Sequence, residues 1–430
     1  SLEFFLEGTR SRTGKLLMPK FGILGMIVEA YRRNARDDIQ FVPVSIDYEK
    51  IIEAKTYERE IGGGKKKKED ITTLLRTTSV LRSKFGRMHV QFGEPISLKS
   101  FAEERSLPAS IHEEHDEAWR DNTERLGYRI LHGISKTSTV TPIAVVATIL
   151  LSNKGRGLSR SVLLERSAEF IRFLYGASAR FSEALASKET AEAALSEAVE
   201  KLVDDNSVSA DRPGRGDAEP IYHIPEEKRV ILDYHKNSII NQFAAHAIIA
   251  RVLANYDGDV YQYDKIRKES RFLSRLFKRE FIYPVGSVFA NVFDENLAAL
   301  AIRGILDVNE DNTITVRKPE RIDSIGGFLD NFIEAYWVTA NSLKELRTFP
   351  LWEKELITRA QEQTRREYLE GNISRPEAIN STLIQSALRW FQDSGVLESR
   401  TSGKRKTLSL SKHYSGDALE KLVEHISQFI

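Results

Sequence analysis

The sequence predicts an α/β unit over residues 1–105, followed by a mostly helical region over residues 106–430 that carries short, winged-helix-like β-hairpins. Three observations carry this. Up to about residue 98, strand-like and helix-like stretches alternate, which is the pattern of an α/β unit. From Leu98 onward the apolar residues recur mostly at helical spacing. Within that second part, a helix ending in a Gly or Asn turn and followed by a short β-like pair occurs three times.

Glu3–Leu6 reads as a strand that stops at Glu7-Gly8. Phe21–Arg33 (FGILGMIVEAYRR) has helical apolar spacing and basic residues in its last turn, where they suit the helix dipole. Gln40–Ile46 (QFVPVSI) is β-branched and strand-like, and Pro43 inside it requires an edge position or a bulge because proline donates no ladder hydrogen bond. Asp70–Lys84 reads as helix, and Arg87–Phe92 as a strand closed by Gly93-Glu94-Pro95. In such units catalytic groups gather at the carboxyl ends of strands, a place that Glu7–Arg12 and Asp47-Tyr48 would both occupy. Downstream come a polar-rich helix over Ser110–Ile134, an apolar segment Thr141–Ser152 and a helix Ser159–Tyr175. The three helix-plus-hairpin stretches begin at Thr190, Glu295 and Thr382, and the last has Gly403 at its hairpin tip. Their spacing is irregular, so they share local architecture without forming a solenoid. Asp204–Glu219 is polar and contains Gly and Pro; it reads as a loop, a point of subdivision and a site of proteolytic nicking.

Composition narrows the function classes. There is no cysteine, which excludes disulfides, thiol nucleophiles and Cys-based zinc sites. The first hundred residues are net basic and the remainder net acidic, so the basic end favours anionic ligands or an anionic lipid surface. The most apolar run, TPIAVVATILLS over 141–152, is shorter than the ~18 residues a spanning helix needs; a buried core helix or an in-plane membrane element fits it.

The densest chemistry lies at the start, in SLEFFLEGTRSRTGK. Gly8 permits a tight turn. Arg10 and Arg12 supply guanidiniums that bind phosphate oxygens bidentately, and Thr9 and Ser11 add hydroxyls. Glu7 is placed to orient an arginine or to accept a hydrogen bond from a substrate hydroxyl. An isolated Arg-Ser-Arg would read as a surface salt-bridge cluster; behind an apolar strand and Glu-Gly it reads as a phosphate receptor.

FFLEGTRSRTGK resembles the third conserved block of the glycerolipid acyltransferases, in the branch that acylates glycerol 3-phosphate or dihydroxyacetone phosphate. QFVPVSIDYE resembles the fourth block, and the similarity continues through KTYEREIGGGKKKKE and HVQFGEPISL. It runs more weakly through VTPIAVVATILL, YHKNSII and RFLSRLFKREFIYP. Leu6 stands where lysophosphatidate acyltransferases usually have proline, which favours the glycerol-3-phosphate branch. The resemblance implies the second half of an α/β acyltransferase domain, with Glu7, Gly8, Thr9, Arg10, Ser11 and Arg12 binding glycerol 3-phosphate and Val42, Pro43 and Val44 shaping the acyl or acceptor pocket. It implies a fatty acyl transfer from acyl-CoA or acyl carrier protein to the 1-hydroxyl, with no metal or other cofactor. It also implies peripheral or monotopic attachment to the cytoplasmic face of a membrane, of the bacterial inner-membrane type. Dihydroxyacetone phosphate is the alternative acceptor.

One element of that family's pattern is missing. Its catalytic motif is His, four residues, Asp, in which the histidine takes the proton from the attacking hydroxyl and the aspartate orients it. None of the nine histidines here has Asp five positions later. His89 precedes Glu94 at that spacing by coincidence, and His112-Glu113-Glu114-His115-Asp116 reads as a solvated helix face. The catalytic pair is therefore expected upstream of Ser1, and this polypeptide is expected to be an inactive C-terminal portion on its own.

Two basic runs remain. Gly62–Gly64 with Lys65, Lys66, Lys67 and Lys68 reads as a solvated run, or as a contact for the phosphates of coenzyme A or of lipid headgroups. Lys404–Lys406 forms a basic hairpin tip, which admits a non-catalytic winged-helix binding module as an alternative; the helix before it has too few basic residues for nucleic acid to be expected.

Overall fold

The computed structural model describes residues 1–33, 36–49, 86–108, 116–177, 179–213, 218–256, 258–403 and 405–430. The expected helix at 70–84, the Lys65–Lys68 run, His112 and His115, and Lys404 lie outside them.

Residues 1–21 hold no strand, which corrects the expectation for Glu3–Leu6. A strand exists by pairing, and apolar composition alone does not supply a partner. Leu6 is buried, and its carbonyl accepts from Lys20 N at 2.8 Å, while Gly8 N donates to Phe5 O at 2.9 Å. The segment is thus a turn folded onto its own continuation. Glu7–Arg12 consequently sits on a closed loop and not at a strand end.

Helix α1 (Gly22–Arg32) follows. Strands β1 (Gln40–Phe41) and β2 (Val44–Tyr48) are two pieces of one extended stretch, interrupted at Pro43 as its missing N–H requires. β3 (Met88–Phe92) pairs antiparallel with β2, and β4 (Ile96–Ser97) with β1. The β2–β3 register puts Ile46 opposite Val90 and Tyr48 opposite Met88, all on the exposed face. The alternate residues point inward as polar groups: Ser45 Oγ donates to Thr137 O at 2.8 Å, and Asp47 accepts from Thr139 N at 2.8 Å.

Helix α2 (Leu98–Glu104) is capped by Ser97. Helix α3 (Asp116–Thr137) closes the first part. Leu6, Leu24, Phe41, Leu98, Trp119 and Leu126 belong to one small core, joined by Ile282 from far along the chain. Pro43 is buried against α3: a Cβ on Gly133 would stand 2.6 Å from Pro43 Cγ.

The rest surrounds a second, much larger core. β5 (Thr139–Val140) leads to α4 (Pro142–Ser152), every residue of which is buried, as a core helix would be. Thr141 caps it, Pro142 sits at its first position, and Thr148 Oγ1 donates to Ala144 O at 2.7 Å, so its polar groups are satisfied inside the helix. A strand–helix–helix–hairpin pattern follows: β6 (Leu158–Ser159), α5 (Arg160–Tyr175), the short β7 (Arg180–Phe181, parallel to β5), α6 (Lys188–Asp204), β8 (Ser209–Asp211) and β9 (Ile221–His223). The chain then crosses the interior as α7 (Arg229–Ser238) and α8 (Ala244–Ala254).

The pattern repeats with β10 (Val260–Gln262), α9 (Tyr263–Leu276), α10 (Phe289–Ile302), β11 (Leu306–Val308) and β12 (Thr313–Val316). Two interior helices, α11 (Pro319–Gly326) and α12 (Asp330–Ser342), come next. It repeats again with β13 (Leu351–Trp352), α13 (Glu353–Leu369), α14 (Ser381–Asp393), β14 (Leu397–Ser402) and β15 (Arg405–Leu410), before α15 (Asp417–Ser427) ends the chain. In all three sheets the last strand lies between the other two, in the orders β6-β9-β8, β10-β12-β11 and β13-β15-β14.

Candidate functional site

The Glu7–Arg12 loop is closed at its mouth and gripped at its far end. At the mouth, Leu17 N donates to Glu7 Oε2 at 2.7 Å beside the Leu6–Lys20 bond. Burial raises the Glu7 carboxyl above its usual value, and the Leu17 bond opposes the shift. Glu7 therefore shapes the loop. Gly8 takes the left-handed φ of +65° that the turn needs. Thr9 and Arg10 are exposed, and Ser11 and Arg12 half-buried. Ser11 Oγ and Thr13 Oγ1 are buried without a hydrogen-bond partner, so the inner wall of the loop offers two hydroxyls not committed to the protein.

The far end, Thr13–Lys15, is sealed against the helical region. Thr13 O accepts from Asn237 Nδ2 at 2.9 Å, and the same amide donates to Asp233 Oδ2 at 2.8 Å. Gly14 has φ +82°, and a Cβ there would overlap the Tyr234 carbonyl oxygen. Lys15 is 4% exposed and forms an ion pair with Glu280, whose Oε1 accepts from Tyr336 at 2.8 Å. The Lys15 and Lys236 ammoniums each lie 5.0 Å from the centroid of the Phe332 ring.

Lys236 also bonds Asp233 and Asn331, both at 2.9 Å. Burial pushes the Lys15 ammonium down to about 7; the Asp233 carboxylate works against this and Lys236 adds to it. Asp233 is raised, by burial first, against the pull of Lys236. The buried polar chain continues next door, where Arg375 Nη2 donates to Asp330 at 2.9 Å and Arg251 Nη1 stands 3.3 Å from the same carboxylate.

Of the residues expected to cooperate, Glu7–Arg12 form one loop. Val42 and Pro43 form the β1–β2 break and Val44 opens β2: Val42 is exposed, Val44 half-buried, and Pro43 is packed on Gly93 and Gly133. A cavity of about 390 Å³ in the helical region is walled by Arg229, Arg251, Asp330, Glu334 and Ser374 among others, and none of residues 7–12 or 42–44 lines it. His89 faces Glu49 at 3.5 Å and not Glu94. No group of His, Asp and Glu suited to a metal ion occurs among the described residues. Sequence reasoning missed Asp233, Lys236, Asn237 and Glu280. Their signal was present as polar residues embedded in the apolar stretches ILDYHKNSII and FKREFIYP.

Comparison with known proteins adds two findings. Residues 57–400 match the model of the glycerol-3-phosphate acyltransferase C-terminal region. Over 443 residues the chain is 28% identical to the dihydroxyacetone phosphate acyltransferase of Mus musculus, covering 98% of this chain and 63% of that protein. It is 27% identical over 414 residues to the glycerol-3-phosphate acyltransferase of Ectopseudomonas mendocina (94% of this chain, 49% of that protein). It is 28% identical over 453 residues to that of Pseudomonas putida KT2440 (99% and 50%). The chain thus spans about half the length of the bacterial relatives and somewhat more of the mouse one.

Proposed function

The chain belongs to the glycerol-3-phosphate acyltransferase C-terminal region family, and we propose that it supplies the acceptor-binding part of an enzyme that acylates the 1-hydroxyl of glycerol 3-phosphate. The observation that carries the reading is the Glu7–Arg12 loop. It is a turn shaped by Glu7 and Gly8 that holds two arginines and carries the buried, unpartnered Ser11 hydroxyl within six residues. Arg10 and Arg12 would clamp the phosphate dianion, and Ser11 would donate to it. The acceptor oxygen would attack the thioester carbonyl of acyl-CoA or an acyl carrier protein. The carbon–sulfur bond would break, and the thiolate would leave with the acceptor's proton delivered through a base. That base is assigned to no residue of this chain. Val42–Val44 would border the acyl or acceptor pocket, and no metal is called for.

The reading also places an α/β acyltransferase unit at the start and winged-helix-like hairpins in the helical part, in line with the threefold strand–helix–helix–hairpin order. The acyl chain and lipid product are the reason to put the enzyme on the cytoplasmic face of a membrane as a peripheral or monotopic protein. No helix among the described residues is long and apolar enough to cross one.

Losing one charge-assisted bidentate contact costs about 1.5–3 kcal/mol, or roughly 10- to 100-fold. Arg10→Ala in the complete enzyme is therefore predicted to raise KM for glycerol 3-phosphate by that factor while leaving KM for acyl-CoA within about twofold. Equal effects on the two substrates would sink the clamp. Dihydroxyacetone phosphate is a second reading, favoured by the name of the mouse relative; competition between the two acceptors decides it.

A further inference from the structure

We propose that Lys15, Asn237 and Glu280 are positioning residues for the acceptor loop: the helical region grips Thr13–Lys15 and so fixes where Arg10 and Arg12 present their guanidiniums. This rests on the acceptor-site reading above.

The argument starts from how the loop is held. Its mouth is pinned by the Glu7–Leu17 and Leu6–Lys20 bonds. A loop held only at its mouth can swing about that hinge. The grip on residues 13–15 removes the freedom, and it does so with contacts of three kinds. Asn237 has two amide hydrogens, and the structure uses one for Thr13 O and the other for Asp233, so the side chain is itself locked while it holds the loop. Gly14 brings the loop backbone flush against the Tyr234 carbonyl, an approach that no side chain would allow. Lys15 then enters the interior, where Glu280, itself held by Tyr336, forms an ion pair with its ammonium.

The choice of groups points the same way. Packing alone would be met by apolar side chains, because a buried ion pair is often no more stabilising than an apolar pair of its size. What a buried lysine–glutamate pair supplies is one allowed position for the segment that carries it. Arg12 is three residues from Lys15, roughly 11 Å of chain at full extension. A shift at Lys15 therefore reaches the phosphate clamp with little slack, and misplacement of a binding group by ~1 Å can cost up to about 100-fold in rate.

The test is steady-state kinetics of the complete enzyme carrying this chain, with Lys15→Met, Lys15→Arg, Asn237→Ala and Glu280→Gln read beside Arg10→Ala. The expected result is a five- to twentyfold rise in KM for glycerol 3-phosphate in Lys15→Met and Asn237→Ala, with KM for acyl-CoA within about twofold of wild type. Lys15→Arg should recover at least half of the loss, and Lys15→Met with Glu280→Gln should be less than additive, because both remove one contact. If Arg10→Ala raises KM for the acceptor and these variants do not, the positioning role is overturned and the acceptor site stands. If Arg10→Ala has no selective effect either, the acceptor-site reading falls and takes the positioning role with it. If the variants raise both KM values alike, the contacts are merely structural and the proposal is wrong. Should Lys15→Met lose its near-UV circular dichroism, Asn237→Ser, which removes the amide donor from a folded helix, is judged by the same criteria.

Discussion

Replacing Gly14 by alanine separates two demands that glycine meets in the loop. At Gly8, with φ +65°, a Cβ would meet Lys20 Cδ at 2.8 Å, part of a flexible and exposed side chain that can move aside. Gly8→Ala should then cost only the left-handed backbone term, about 1–2 kcal/mol. At Gly14 the same backbone term applies, but the Cβ would overlap the carbonyl oxygen of Tyr234 and lie 2.8 Å from its carbonyl carbon. That carbonyl belongs to helix α7 and cannot yield, so the loop must lift away. Lifting forfeits the Thr13–Asn237 bond, about 1 kcal/mol, and strains the Lys15–Glu280 pair, whose full rupture costs about 3–5 kcal/mol. These losses share one network and do not simply add.

The smallest consistent total for Gly14→Ala is about 3 kcal/mol, an increase of roughly 150-fold in local opening at 1.36 kcal/mol per decade. Hydrogen exchange followed by mass spectrometry on peptides spanning residues 8–17 measures that opening directly. Gly14→Ala should accelerate exchange there by about 100-fold or more, and Gly8→Ala by no more than about 30-fold. Equal acceleration in the two variants, or none in Gly14→Ala, would refute the reasoning that the loop lies flush on α7.

Two further predictions concern the helical interior. Burial lowers His235 to about 4, with Glu49 opposing, and lowers His246 to about 3, with Arg303 adding to the shift. The unfolded chain therefore binds protons that the fold refuses between pH 6.5 and about 4, and stability should fall across that window. His246→Leu should flatten the fall by roughly 3 kcal/mol at pH 4.5 in urea titrations; an unchanged slope would contradict the burial of a neutral imidazole. Arg375→Met removes the donors to Asp330 and to Leu151 O, leaving a buried carboxylate that, among the described residues, Arg251 still faces. The expected cost is about 3 kcal/mol, seen as a lower urea midpoint, and a loss below about 1 kcal/mol would mean that Arg251 alone satisfies Asp330.

What was legible in the sequence follows the range of the forces involved. The buried helix Pro142–Ser152 could be read because its composition and its cap are local. So could the interruption at Pro43, which comes from the residue's own covalent structure. The recurrence of helix and hairpin was visible through turn residues such as Gly403. The strand expected at Glu3–Leu6 failed because pairing is a property of two segments and only one was being read. The burial of Lys15 was not legible for a related reason. Nothing beside it in Thr9–Gly14 distinguishes it from the neighbouring polar residues, and the carboxylate of Glu280 that it pairs with when buried is distant in sequence. The cluster of polar groups at Glu7–Arg12 was therefore apparent in the sequence, whereas the groups that hold the loop in place were not.

The bond between Thr13 and Asn237 joins residues 224 apart in the chain. Closing a flexible loop of that length costs roughly 5 kcal/mol of chain entropy, more than the contact itself returns. The seat of the Glu7–Lys15 turn is therefore assembled only after the helices between have already drawn the two ends together. During folding, it is among the last things to exist. A molecule whose Glu7–Arg12 turn is seated is, for that reason, one whose distant α7 has already reached its place.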